Sequence, residues 1–256
     1  MEPSQVRNAD EIRTLGGTLL GIDPALVDGV VQPTATWLAQ DGTRFALKIL
    51  DATPRSENDF FLLNLARARS EAILTTGAIL REEPGVTHAL SGPGNLPEAL
   101  ADWRRSSLGL KELPLLVVLS SGRGLDPEHP AFRAPVRPVL FVPEEAADEL
   151  ARRFRGLAEI AAAPTTGSRE AVAWLLSQGA NRISVEAGPS SARALYEAPG
   201  MIDELWRSTY LEHELLGDVI GPRVEVPGEG SVAETTGGRV VREPSGDWRF
   251  ERLRLG

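Results

Sequence analysis

The sequence predicts an α/β fold: a mixed, mostly parallel sheet with helices on both sides and an antiparallel C-terminal part. Three observations carry this. Strand-like and helix-like patterns alternate through most of the chain. Leu113–Ser121 is a continuous apolar run, as expected of a parallel strand covered on both faces. The last third instead holds strand-like runs set apart by Gly237-Gly238 and Ser245-Gly246, the pattern of antiparallel hairpins.

Taken in order, Thr34–Ala39 and Arg44–Leu50 are β-prone runs around Asp41-Gly42, a hairpin signal. Ser56 caps a helix with Asp59 three residues on, and the run to Arg69 sets Phe61, Leu62, Leu65 and Ala66 on one side. Glu71–Thr76 reads as a buried strand that Gly77 ends. Beyond Leu113–Ser121 come the strand Val136–Val142 and the helical Glu144–Phe154. Ser168 caps Arg169–Gln178, and Gly179 stops that helix. Ile183 and Val185 alternate with polar neighbours, Gly188-Pro189 breaks the strand, and Ser190 or Ser191 caps a helix through Ala194, Leu195 and Tyr196. Glu204–Leu211, Ser231–Thr236, Arg239–Arg242 and Asp247–Leu255 are the strands of the last third. The Pro- and Gly-rich stretches 91–97 and 227–230 read as loops, not linkers. With no internal repeat, residues 1–256 are expected to form a single domain.

Composition narrows the function. The 256 residues are 42% hydrophobic, enough for a large core, and the net charge is −9. No block of Lys and Arg stands out, so neither nucleic acid nor an anionic membrane is an expected partner. A local basic spot for a small phosphorylated ligand stays open. The absence of cysteine excludes disulfides, a thiolate nucleophile and Cys-ligated zinc. The three histidines, His88, His129 and His213, are not paired at metal-ligand spacing. His213-Glu214 begins like a zinc-protease helix, but Gly217 stands where the second histidine belongs, and no metal is expected. Residues 1–10 lack the apolar core of a signal peptide, and no apolar run approaches the ~20 residues of a membrane span. The expectation is a soluble, cytoplasmic protein.

The most informative stretch is Arg182–Ser191. A strand that ends in small residues and opens a helix gathers free backbone N–H groups and a positive dipole end at one point, which suits a phosphate. An ordinary strand-to-helix turn has the same look.

Six segments, taken together, resemble a known family. They are Arg67-Ala-Arg-Ser-Glu-Ala-Ile-Leu-Thr-Thr-Gly77, Arg81-Glu-Glu-Pro84, Leu115-Leu-Val-Val-Leu-Ser-Ser121, Leu125-Asp-Pro-Glu-His-Pro130, Val185-Glu-Ala-Gly-Pro189 and Ile202-Asp-Glu-Leu205. In this order they resemble the reductase domain of riboflavin biosynthesis, a branch of the dihydrofolate-reductase-like fold. The resemblance spans roughly residues 44 to 222. It implies hydride transfer from NADPH to a ribosylamino-pyrimidine 5′-phosphate or a related heterocycle. It also implies that Ala187, Gly188, Pro189, Ser190 and Ser191 receive the cofactor phosphates, and that Thr76 and Gly77 let backbone approach the cofactor. Ser120, Ser121 and Arg123 then meet the adenosine 2′-phosphate, where two hydroxyls and a guanidinium suit NADPH. A plain turn is the other reading of Ser120-Ser121-Gly122. On the substrate side the resemblance implies Lys48, Asp51, Arg67 and Glu186. Lys48 also fits a solvent-facing strand position, and Arg67 a helix-surface charge. No residue stands out as a catalytic acid or base, which fits a reaction run mostly by positioning.

The chain departs from the family at several points. The family's Ser-Leu-Asp-Gly loop is Asp51-Ala-Thr-Pro54 here, and its acidic turn is Glu82-Glu83-Pro84 preceded by Ala78. The Gly-Gly pair is Ala187-Gly188. Val86-Thr87-His88-Ala89 lacks the arginine the family uses on the substrate phosphate. These departures leave a second function in view, a non-catalytic nucleotide- or ligand-binding protein that kept the fold. The resemblance further implies a two-fold homodimer. The alternating Trp206, Tyr210, Trp248 and Phe250 of the strand-rich end serve either an interface or the domain's own core.

Overall fold

The computed structural model describes every residue except 112, 134, 136, 199, 216 and 225–231. Its elements follow the chain as α1 (Ala9–Leu20), β1 (Gly29–Leu38), β2 (Arg44–Leu47), α2 (Glu57–Arg69), β3 (Ala72–Thr76), α3 (Gly77–Glu82), α4 (Leu96–Ser106) and β4 (Leu115–Leu119). There follow β5 (Val139–Pro143), α5 (Glu144–Arg153), β6 (Glu159–Ala163), α6 (Ser168–Ser177), β7 (Arg182–Val185), α7 (Pro189–Tyr196) and β8 (Glu204–Tyr210). The chain ends in β9 (Ile220–Arg223), β10 (Val232–Glu243) and β11 (Gly246–Leu255).

One sheet runs in the order β10-β11-β8-β1-β7-β3-β4-β5-β6. All neighbours from β8 to β6 pair in parallel, whereas β11 and β10 add on antiparallel beyond β8. The expected mixed sheet with an antiparallel C-terminal part is therefore the one found.

Strand alternation sorts the core into layers. Val31 meets Phe61, Leu65, Trp103 and Trp206 beneath α1, α2 and α4. Ile73, Val118 and Leu140 face Leu80, Phe132, Leu150 and Phe154 of the α3 and α5 side. The odd and even partners of these residues, Val30, Leu74, Val117 and Ile183, point the other way onto Val172, Leu175 and Leu195 of α6 and α7. The result is a three-layer α-β-α sandwich. Trp206, Tyr210, Trp248 and Phe250 all lie within the first of these clusters, buried in the chain's own core.

Several boundaries differ from the sequence reading, each for a physical reason. β1 begins at Gly29 and not Thr34, because Pro33 falls where neither neighbour on that edge pairs: β7 takes residues 29–31 and β2 takes 36–38. Gly237-Gly238 is not a turn but a bulge within β10, with positive φ at both residues and a register shift between Gly237 and Arg239. A Cβ at Gly237 would lie 2.6 Å from the Leu19 carbonyl oxygen, so the bulge lets the end of α1 close onto the strand. The stretch 91–97 is not wholly loop, since α4 starts at Leu96 with Pro97 in its first turn. Neither Ser190 nor Ser191 caps α7, and Ser168 does not cap α6. Gly188 and Gly167 hold those places, each without a side-chain cap. Val136 and Ser231, expected at strand starts, and the loop 227–230 lie outside the described residues.

Candidate functional site at the β3–β7 crevice

The connections place the site. From β3 the chain moves outward to β4, β5 and β6, then returns through α6 to β7 on the other side of β3, and leaves β7 toward β8. Two adjacent parallel strands whose exits diverge leave a crevice at their carboxyl ends, where ligands of open α/β sheets bind. Ten of the sequence-predicted residues gather along this edge. Thr76 ends β3 and Gly77 opens α3, Ser120, Ser121 and Arg123 follow β4, and Ala187–Ser191 follow β7. β1 extends past the short β7, and β2 folds back along it, so Lys48 and Asp51 come down toward the same side of the sheet from the loop after β2. Both are exposed: Lys48 Nζ donates to the Asp218 carbonyl, and Asp51 pairs with Arg55.

The cofactor-side residues divide by what holds them. Thr76 Oγ1 accepts from Ile79 N and so caps α3. A Cβ at Gly77 would sit 2.8 Å from Ser120 Oγ, so this glycine is a packing requirement. Ser120 Oγ itself accepts from Gly122 N, bracing the turn. Ser121 and Arg123 are exposed, and the Arg123 carbonyl oxygen accepts from Arg81. Gly188 differs from Gly77. Its φ of −62° suits any residue, and a Cβ there meets nothing within 4 Å. Neither steric crowding nor backbone conformation accounts for a glycine at this place. Pro189 opens α7 and supplies no N–H, while Ser191 N and Ala192 N turn back onto the Gly188 carbonyl. Ser168 Oγ donates to the Ser191 carbonyl, which sets the uncapped starts of α6 and α7 side by side. The sequence reading expected a helix start here, with Ser168 as its cap, but gave it no part in the site.

On the other face of the crevice Arg67 and Glu186 form one unit. Arg67 Nε donates to Glu186 Oε1 at 2.8 Å and its second terminal nitrogen to Oε2 at 2.7 Å, with side chains only 7% and 8% exposed. The remaining nitrogen donates to the Ala89 carbonyl at 3.2 Å. Burial alone pushes the Glu186 carboxyl up, but the charge of Arg67, its hydrogen bonds and His88 together hold it below the ordinary value of 4.5. Glu83 is raised by burial, with Arg67 pulling it back and Glu186 and Glu82 adding repulsion.

His88 closes this cluster. Its Nε2 lies 3.7 Å from Glu186 Oε2, and Nδ1 is buried with no protein partner. Burial brings the ring down to about 4, against the pull of Glu186, so the imidazole is neutral at physiological pH. It is also the one non-glycine residue with positive φ (57°) among the described residues. Thr75 lies one residue beyond the Leu74–Val185 pairing and therefore beside Glu186; its hydroxyl has no protein partner either. The sequence reading gave no role to His88 or Thr75. Nothing local announces the first, since its partner lies 98 positions away.

No family model matches the sequence, and no curated protein matches it. Solved structures do. A pyrimidine reductase-like protein from Corynebacterium diphtheriae is 20% identical with a TM-score of 0.61, over 90% of this chain and 92% of that one. The riboflavin biosynthesis reductase Rib7 of Saccharomyces cerevisiae is 14% identical with a TM-score of 0.59, over 96% and 100%. A diaminohydroxyphosphoribosylaminopyrimidine deaminase/5-amino-6-(5-phosphoribosylamino)uracil reductase from Thermotoga maritima is 15% identical with a TM-score of 0.55, over 89% of this chain and 56% of that one. The chain thus spans little more than half of the Thermotoga protein. At these identities the likeness is one of fold, and in fold this chain resembles the pyrimidine reductases of riboflavin biosynthesis.

Proposed function

We propose that the chain is a single-domain reductase, residues 1–256, that transfers hydride from NADPH to a ribosylamino-pyrimidine or a related heterocycle. The observation that carries this reading is Gly188. It stands at an uncapped helix start, at the switch point of the sheet, with open space where a side chain would be. A glycine that neither packing nor backbone demands is what close approach by a phosphate requires. The residues therefore fit the cofactor: Ala187–Ser191 would hold its phosphates, and Ser121 and Arg123 its 2′-phosphate. The bound cofactor supplies the hydride. The chain's own part is to orient the substrate and exclude water, with the Arg67–Glu186 pair and neutral His88 forming a rigid wall.

The test is the fluorescence of NADPH on mixing with the protein and its oxidation in the presence of the pyrimidine. Gly188→Val should abolish NADPH binding while leaving the melting temperature unchanged. Unaltered affinity in that variant would mean that the phosphates bind elsewhere. Binding without turnover of any pyrimidine would favour the ligand-binding protein; the locking of Arg67, Glu186 and His88 into mutual contacts supports that second reading. We also propose a homodimer. Since the aromatic stripe lies in the core, its interface must use another surface, and light scattering should give a mass near twice 27.6 kDa.

A further inference from the structure

Three guanidiniums surround the turn that follows β4, Ser120–Leu125. Arg123 lies within it. Arg81, in the last turn of α3, donates to the Arg123 carbonyl at 3.0 Å, and Arg153, in the last turn of α5, donates to the Leu125 carbonyl. The turn that carries them is fixed. Gly122 and Gly124 flank Arg123 with φ of 83° and 65°, in the left-handed region. A Cβ on the first would lie 2.8 Å from Leu150 Cδ1, and on the second 3.0 Å from Arg81 Cδ, so α5 and α3 both close onto the turn. Among the described residues none of the three arginines forms an ion pair. The acids that follow are engaged elsewhere: Asp126 accepts from Glu128 N, and Glu128 pairs with Arg133. In a chain of net charge −9, such an uncompensated group of cations is the exception. Arg81 and Arg123 are exposed, and the bond to the Arg123 carbonyl leaves the other N–H groups of Arg81 without a protein partner.

We propose that Arg81 is a specificity-determining residue for the cofactor: with Arg123 it forms a two-cation clamp on the 2′-phosphate of NADPH. This rests on the reductase reading in placing the adenosine end of the cofactor at the turn. β4 lies two strands from β7, across β3, roughly 10 Å at ordinary strand spacing. A dinucleotide whose phosphates sit at Ala187–Ser191 therefore reaches the turn with its adenosine half. A phosphate monoester is close to dianionic at pH 7, and a lone guanidinium leaves about half of that charge unmatched. Two planar forks on a fixed turn match both the charge and the oxygens of such a group. Arg153, tied to the Leu125 carbonyl and lying over the Phe154 ring at 5.6 Å, braces the turn and adds to its positive field.

Calorimetry with adenosine 2′,5′-bisphosphate and adenosine 5′-phosphate isolates the added phosphate without any turnover. The wild-type protein should bind the bisphosphate about ten-fold or more tightly than the monophosphate. Arg81→Gln keeps an amide donor for the Arg123 carbonyl but removes the charge. It should weaken the bisphosphate by about ten-fold and leave the monophosphate unchanged. Because Arg81 is exposed, the melting temperature should stay the same. Equal loss for both compounds would mean that Arg81 only braces the turn and would overturn the proposal. So would an unweakened bisphosphate, or a wild-type protein that does not tell the two compounds apart. NADPH and NADH binding, followed separately by fluorescence, reports on the reductase reading. Equal affinity for the two would remove the clamp and leave a reductase that takes either cofactor, whereas binding of neither would remove the reductase reading and the clamp with it.

Discussion

Replacing Arg67 by methionine tests the buried pair directly. The substitution keeps a long apolar stem but leaves Glu186, with 8% of its side chain exposed, facing no cation. Breaking a buried, doubly hydrogen-bonded ion pair from one side costs about 3–5 kcal/mol, because the remaining charge stays desolvated. For a chain of this size, about 2–4 °C in melting temperature per kcal/mol makes the expected drop roughly 6–20 °C. The pH dependence identifies the cause. In the wild type Glu186 is held below 4.5, so the pair stabilises above that pH and is lost as the pH falls through the lowered value. In Arg67→Met burial, the largest influence, is opposed only by His88, and the carboxyl should rise. The gap between variant and wild type should therefore shrink as the pH is lowered from 7 to 5. Adding Glu186→Leu should recover most of the loss, since an apolar pair needs no compensation. Calorimetric melts of the three proteins at several pH values suffice. A loss below 1 kcal/mol, or a gap that does not change with pH, would refute the reasoning.

Three further outcomes are expected. His88 takes a proton near 6.5 in the unfolded chain but only near 4 in the folded one, so stability should fall by roughly 3 kcal/mol as the pH drops between those values. His88→Asn tolerates the positive φ and does not titrate, so its acid limb in urea titrations should be flatter; an unchanged limb would acquit His88. Burial pushes the Asp59 carboxyl up to about 6, with the Ser208 hydroxyl drawing it back and Glu243 adding repulsion. Its folded form thus loses stability as the pH rises from 3.8 to 6, and Asp59→Asn should be about 1–3 kcal/mol more stable than wild type at pH 7 but not at pH 3.5. Arg123→Ala should weaken NADPH about ten- to a hundred-fold and leave NADH nearly unchanged in fluorescence titrations, whereas equal loss for both would remove Arg123 from the 2′-phosphate.

How much of the fold was legible depended on whether the cue was local. Asp41-Gly42, the Ser56 cap and the stop at Gly179 act within a few residues, and each does as the sequence suggests. The misreadings come where tertiary contacts decide. Gly237-Gly238 has the composition of a turn, yet only the approach of the Leu19 carbonyl, more than two hundred positions earlier, makes it a bulge. The strand expected from Thr34 in fact starts at Gly29 and runs through Pro33, which is tolerated because on that edge it falls between two pairing partners. α1 went unread although Asn8 and Glu11 carry a local signature: the Asn8 side chain accepts from Glu11 N, and the Glu11 carboxylate accepts from Arg7 N.

For the site, position was readable and state was not. Strands that end in small residues mark the carboxyl edge of a parallel sheet, and that is where the candidates gather. Whether each is free to act is a matter of partners. Gly77 and Gly188 look alike in sequence, each a glycine between a strand and a helix. In the structure the first makes room for Ser120, and the second makes room for nothing in the protein. Arg67 and Glu186 likewise read as two separate substrate ligands, one cation and one anion. Brought together across 119 positions they hold each other by two hydrogen bonds and offset each other's charge, so the pair acts as a wall of the crevice. The same physics that lets the sequence locate the crevice, small residues and a helix start, is silent on this neutralisation. It depends on which two charges the β3–β7 adjacency happens to face.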